Sequence, residues 1–424
     1  MKHYSFLLIL FMALCLSLGN GNKAQAGSLK TRGVWVSCFE FEELGLKDKT
    51  EAQFRANANK IFATIRANGC NTVYFHVRAY DDAIYPSSVA GFSKYISSDG
   101  KAPGYDPLKI LVSLAHSHKL KIHAWMNPYR VSSTKILDPA SETTTVRIVN
   151  QVKEIINRYA VDGIHFDDYF YPTNIKKYKK VPAATRRQNV NVMVRKVYQT
   201  VKQKKKSLKF GISPAGDITY CEKIGADVRT WLSQSGYVDY IIPQIYWSNN
   251  YIMSGKKTAL FNERLAKWRE INKRDVPMYV GLALYKTGYS LKEDPGWEKS
   301  SGNIASQIRL IRSGNTEGYV FFAYKDLIRS GAAKELKKYY KAIGKITLNK
   351  KKKTLRTGKK YRLKASFWPA NLHGKIKWKS SNKKIASVSK KGIVKAKKKG
   401  TVRIYATYGT MKKSCKIIVK KKRK

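Results

Sequence analysis

Val161-Asp-Gly-Ile-His-Phe-Asp-Asp-Tyr-Phe-Tyr171 is a short, mostly apolar run that stops at two carboxylates and three aromatic rings. An apolar run of this length bounded by polar residues reads as a buried strand of a parallel sheet. The same unit, a short β-branched or aromatic strand with a polar end followed by a helical stretch, recurs along the chain. Strands are expected at Gly33–Phe39, Thr72–Arg78, Lys121–Met126, Gly163–Asp167, Phe210–Ser213, Tyr240–Tyr246, Met278–Ala283 and Gly318–Ala323. Amphipathic helices are expected between them, among others at Glu51–Asn68, Pro107–His118, Thr145–Tyr159, Ala184–Lys204 and Asn262–Asn272. Each is long enough for the crossover that parallel strands require. Eight such units predict an α/β fold, a (β/α)8 TIM barrel. The alternative, an open doubly wound sheet, often carries a Gly-rich phosphate loop after its first strand, which Val36-Ser-Cys-Phe-Glu40 does not supply.

After Tyr340 the pattern changes to short alternating runs separated by Gly or Asn turns, at Tyr361–Phe367, Ile376–Trp378, Ala386–Val388, Thr401–Ala406 and Cys415–Val419. That predicts a small all-β sandwich. The expected division is a signal peptide over 1–26, the barrel over 27–342 and the sandwich over 343–424. The leader has Lys2 and His3 in front, an apolar run from Phe6 to Leu18, and Ala24-Gln25-Ala26 as a cleavage site. A retained anchor is the alternative. Cys15 could suggest a lipoprotein, but Leu14 before it is bulky for one.

The formal net charge is +55, and residues 343–424 hold 30 Lys plus Arg with no Asp or Glu. Such a field calls for polyanionic surroundings. For an exported, wall-associated protein these are anionic cell-wall polymers, with no specific nucleic acid implied. A monomer is expected. Cys38, Cys70, Cys221 and Cys415 form no CxxC pair, so thiol metal binding is not expected. Cys38 and Cys70 fall on the first two strands, where they read as buried free thiols or as a disulfide.

In a (β/α)8 barrel the active-site groups come from the C-terminal strand ends. Those ends supply Arg78, Asp81 and Asp82; Asn127, Tyr129 and Arg130; Asp167, Asp168, Tyr169 and Tyr171; Gln244, Tyr246 and Trp247; and Tyr285. Glycosidic cleavage needs a carboxyl to protonate the leaving oxygen and a second group at the oxocarbenium-like centre. Asp167 and Asp168 are the candidate catalytic pair, although Asp168 could instead cap a helix. Rings at the mouth suit stacking on sugar faces, and a polysaccharide substrate is expected. His123 and His165 precede polar strand ends; metal ligation and a core role are both open, the absence of a third ligand at suitable spacing favours the core, and no metal or cofactor is expected. His123 is kept among the candidate substrate contacts.

Residues 29–340 resemble the glycosyl-hydrolase-like family 10 barrels, also known as domain of unknown function 187. The matching motifs are Arg32-Gly-Val-Trp35, Asn71–Arg78, Pro103–Leu108, His123–Arg130, Val161–Tyr169, Gly211–Pro214 and Pro243–Trp247. The resemblance implies a TIM-barrel glycosidase, with one branch acting on peptide-free peptidoglycan strands. The Asp162-Gly-x-x-x-Asp167 spacing is also similar to chitinase-type barrels. Tyr169, however, stands where those place an acid Glu, which puts an acetamido-assisted mechanism in doubt. No Glu follows the fifth strand either, and Asp81, Asp82, Glu40 and Glu42 remain as candidates for a second carboxylate. The tail resembles the bacterial Ig-like group 2 domain through Ile376–Asn382, Ile385–Val388, Gly392–Ala396 and Gly400–Val402. Two other readings stay open: a non-catalytic glycan-binding barrel, and a polyanion-binding wall protein whose barrel is a passenger.

Overall fold

The computed structural model describes residues 29–172, 175–300, 302–314 and 316–421. The expected leader over 1–26 lies outside the described residues. Eight parallel strands form one sheet: β1 (Thr31–Val36), β2 (Thr72–Arg78), β3 (Lys121–Met126), β4 (Gly163–Asp167), β5 (Lys209–Ser213), β6 (Tyr240–Ile241), β7 (Tyr279–Leu282) and β8 (Gly318–Phe321). Hydrogen-bonded neighbours run in the order β7-β8-β1-β2-β3-β4-β5-β6. Parallel bridges Ile241↔Met278 and Gln244↔Gly281 join β6 to β7 and close the barrel.

Main crossover helices are α1 (Glu51–Ala67), α2 (Pro107–Ser117), α3 (Glu142–Arg158), α4 (Ala183–Lys204), α5 (Val228–Ser233), α6 (Leu260–Ile271), α7 (Asn303–Arg312) and α8 (Ala333–Ile343). Their starts follow local chemistry. Thr50 and Gln53 form a reciprocal capping box on α1, and the Asp106 side chain accepts the Lys109 N–H at the head of α2, where Pro107 gives up no bonded donor. Every residue of β2 is buried, as expected of a strand covered on both faces.

Side chains alternate across the strands, so one set faces the helices and the other fills the barrel. The inner set is aromatic: Trp35, Tyr74, Trp125 and Tyr240 pack with Ile242 and Val320. Rings of this size fit only because facing positions are empty of side chain. A Cβ on Gly211 would lie 2.3 Å from the Tyr240 ring, and one on Gly163 would lie 2.5 Å from His123 Nδ1.

The C-terminal module carries β9 (Lys345–Leu348), β10 (Lys352–Arg356), β11 (Lys360–Arg362), β12 (Ala365–Trp368), β13 (Lys377–Ser380), β14 (Ala386–Val388), β15 (Ile393–Ala396), β16 (Gly400–Tyr408) and β17 (Met411–Lys420). A four-stranded sheet, β10-β17-β16-β13, and a three-stranded one, β11-β15-β14, enclose a core that includes Leu363, Val394, Ile404 and Ile417. Alternation along β17 buries Cys415, Ile417 and Val419 and turns Lys416 and Lys420 outward. The module rests on the barrel's N-terminal end. Arg32, at the start of β1, lies 4.8 Å over the Trp368 ring, Asn371 N–H donates to Ala67 O at 3.3 Å, and Leu372 joins the barrel's core cluster.

Candidate active site

At the opposite, C-terminal end of the barrel the strand termini surround a cavity of about 180 Å3. Strands β1 to β3 contribute Trp35, His76, Trp125 and Asn127; the β6 to β8 arc contributes Gln244, Tyr246, Tyr285 and Phe322. Asp167, the last residue of β4, is the carboxylate among the lining residues. Its Oδ1 accepts hydrogen bonds from Gln244 Nε2 and from the Asp168 N–H, each at 2.9 Å. Gln244 Nε2 also donates to Ser213 O at 2.9 Å, so the amide is pinned between β5 and β4.

Asp168 opens on a neighbouring cavity of about 310 Å3, with Arg130, Tyr169, Tyr171 and Tyr220 in its wall. Arg130 and Tyr169 border both cavities, and the guanidinium sits 3.8 Å above the Tyr169 ring. The two carboxyl groups are chain neighbours, and each enters the electrostatics of the other. Burial raises the Asp167 carboxyl above its ordinary range, against the lowering effect of the Asp168 N–H and Gln244. Burial followed by the charge of Asp167 raises Asp168 well above its own. Both shifts favour the protonated form of the pair relative to a solvated carboxylate.

Asn127, Tyr169, Gln244, Tyr246 and Tyr285 meet Asp167 at the central cavity. Five other candidates do not line either cavity. Arg78 is buried, donating to Gln151 Oε1 at 2.7 Å, to Asp81 Oδ1 at 2.8 Å and to Asn127 O. The cause is a β-bulge: His76 pairs with Trp125 and Arg78 with Met126, so two β2 residues face one on β3, and Arg78 turns toward the helices. Asp81 is held in the same cluster by Arg78 and Arg147. Tyr129 is fully buried against Phe170 in the layer between strands and helices. Trp247 packs beside Gly216 and under Arg264.

His123 lies inside the barrel, below the cavity, and its Nδ1 is 2.9 Å from Tyr240 Oη. His165 Nε2 accepts the Trp35 indole N–H at 3.1 Å, so its Nδ1 carries the hydrogen toward Tyr240 Oη at 3.2 Å. Burial pushes His123 down to about 4 and His165 well below its usual range, so both rings are neutral members of a core network.

Of the alternative second carboxylates, Glu40 is buried and bound to the Ser37 and Lys325 N–H groups, each at 2.7 Å. Asp82 accepts the Ala79 and Tyr80 N–H groups. Cys38 and Cys70 are buried free thiols. Sequence reasoning missed His76, Trp35, Ser37, Phe39 and Phe322 at the cavity; the alternation of β2, counted back from its polar end, was the signal available for His76.

An eight-stranded barrel whose mouth holds two neighbouring carboxyls, both raised by burial, among aromatic rings has the build of a barrel glycosidase. The comparisons agree. Residues 30–135 and 129–299 match the glycosyl hydrolase-like 10 family, and residues 342–419 match the bacterial Ig-like domain (group 2). The chain belongs to the glycosyl hydrolase-like 10 family and is a glycoside hydrolase. It is 30% identical over 358 residues to glycosyl hydrolase YngK of Bacillus subtilis, covering 70% of this chain and 68% of that one. It is 32% identical over 353 residues to glycosyl hydrolase DigH of Escherichia coli, covering 66% of this chain and 78% of that one. In fold it is similar to the PgaB (BpsB) glycoside hydrolase domain from Bordetella bronchiseptica, at 11% identity and a TM-score of 0.52, over 72% of this chain and 98% of that domain.

Proposed function

We propose that the protein is an exported, wall-associated hydrolase of a surface polysaccharide, with peptide-free peptidoglycan glycan strands as its substrate class. The observation that carries the reading is the Asp167–Asp168 pair, two neighbouring carboxyls that burial shifts toward the protonated form, with Asp167 at the edge of an aromatic-walled cavity. A sugar ring stacked on the aromatic wall would bring its glycosidic oxygen to the pair, which donates a proton as the bond breaks. The pair, now one proton short, takes a proton from the incoming water, and the cycle closes. Gln244 and the Asp168 N–H orient Asp167 throughout.

The 30 basic residues of the module, without an acidic one, support retention on anionic wall polymers. A small cavity walled by aromatic rings favours bare strands over strands crowded with stem peptides. The test is incubation with peptide-free and peptide-bearing peptidoglycan and identification of products by mass. Shorter oligosaccharides from the peptide-free material are expected. Release of peptides or amino acids, or no product from either, would contradict the reading.

A further inference from the structure

The C-terminal mouth of the barrel carries a row of flat side chains along part of its rim. Phe39 follows β1, Tyr80 and Tyr95 follow β2, Arg130 follows β3, Tyr169 follows β4 and Tyr220 follows β5. Successive members pack together. The Phe39 ring meets Tyr95 edge-on with centroids 5.6 Å apart, and Tyr95 stacks on Tyr80 at 6.2 Å. The Arg130 guanidinium lies 5.5 Å over the Tyr80 ring and 3.8 Å over that of Tyr169. Tyr169 and Tyr220 then share the wall of the cavity on which Asp168 opens.

The two ends of the row face solvent. Phe39 is 65% exposed, more than any other large apolar side chain among the described residues, and Tyr220 is 47% exposed. A phenyl ring left in water forgoes the gain of burial, and no looseness of the chain accounts for it here. The short turn Cys38–Glu40 that presents Phe39 is fixed by a reciprocal capping box. The Phe39 N–H donates to Ser37 Oγ at 3.4 Å, and Glu40 accepts the Ser37 and Lys325 N–H groups, each at 2.7 Å. A ring presented from so rigid a turn spares a ligand the cost of ordering it.

Between those ends lies the carboxyl pair. Phe39 and Tyr169 line the central cavity with Asp167, and Tyr169 and Tyr220 line the neighbouring one with Asp168. A site made for a chain end is closed beyond the bond it cuts, whereas this one continues past both carboxyls to an exposed ring. Separate rings, most with a polar edge, suit a ribbon of apolar sugar faces fringed by hydroxyls; a protein partner calls for a broad contiguous apolar patch.

We propose that this rim is a track for a glycan strand that runs past the Asp167–Asp168 pair on both sides, so that the enzyme grips several sugars and cuts within the strand. Phe39, with Tyr95 and Tyr80, holds the strand on one side and Tyr220 holds it on the other. The inference rests on the reading of this mouth as the glycan site and adds how the strand lies across it.

The test is calorimetric titration of the full chain, carrying Asp167→Asn to prevent turnover, with a tetrasaccharide and an octasaccharide prepared from peptide-free glycan strands. A ring newly covered by a sugar is worth about 10-fold in affinity, so the octasaccharide should bind about 30-fold or more tightly. Phe39→Ala and Tyr220→Ala, at exposed positions where the fold does not need the ring, should each narrow that ratio by about 5-fold or more. In parallel, product masses from long strands and the parent chain should show mixed, intermediate lengths early in the reaction. Equal affinities for the two lengths, a ratio that neither variant changes, no binding of either sugar, or a single shortest product from the first time point would overturn the track. Length-dependent binding, weakened in the variants, without cleavage of any strand by the parent would keep the track and contradict the hydrolase reading. Cleavage with length-independent binding would do the reverse.

Discussion

At the level of single residues, Gln244 joins β5 to the Asp167 carboxyl through one nitrogen, which bonds both Ser213 O and Asp167 Oδ1. That bond lowers the Asp167 pKa, whereas burial raises it. Activity that depends on the proton of the pair must fall as pH rises through its raised ionisation, above the usual carboxylate range. Replacing Gln244 with Leu removes a lowering influence, so the protonated form persists to higher pH and the alkaline limb of kcat/KM should move upward. Loss of orientation should also reduce kcat by about 10-fold or more. A pH–rate profile of the Gln244→Leu enzyme checks both, and an unmoved limb would show that Asp167 is not the group titrating. Arg78 behaves differently, because its donors are spent on Gln151, Asp81 and Asn127 O. Arg78→Met should lower the thermal midpoint, since Gln151 and the Asn127 carbonyl lose a buried donor while Asp81 keeps Arg147, at a cost of about 1–3 kcal/mol.

Among the elements, the strands were legible because apolar runs of the right length stop at polar residues. β2, β3 and β4 lie at their expected bounds. The sixth fell short: Tyr240–Tyr246 was expected and β6 ends at Ile241. Pro243 has no N–H for the ladder, and its carbonyl, besides accepting from Gly281 of β7, is drawn into a tight turn by the Ile245 N–H. Arg78, Tyr129 and Trp247 were misplaced for a related reason. Bulges and turns at strand ends reset which side faces the mouth, and residue type carries no record of that. The large-small pairing inside the barrel is testable. Gly211→Ala sets a methyl against the Tyr240 ring, where there is no room, and overpacking of this kind costs about 1–3 kcal/mol. Thermal unfolding of the variant should start several degrees lower, and an unchanged midpoint would mean that the ring can move aside.

Across the whole molecule, the basic module sits at the N-terminal end of the barrel and the cavity at the C-terminal end. A polymer held by the module would thus lie a barrel's height from the cavity. At ~0.15 M salt the Debye length is about 8 Å, so anchoring needs close contact with phosphate or carboxylate groups. Sedimentation of the full chain with intact wall should be strong at low salt and decline as salt rises. Walls stripped of teichoic acid should retain less, and equal, salt-insensitive retention on both would rule out electrostatic anchoring. The central claim concerns the chemistry at the other end: the rate of glycosidic cleavage of peptide-free glycan strands by the parent, Asp167→Asn and Asp168→Asn chains, followed by product mass. One or both variants should lose roughly 10²–10⁴-fold, the contribution of a positioned acid–base group, while circular dichroism shows an intact fold. Near-parental rates in both variants would contradict the account and place the chemistry elsewhere.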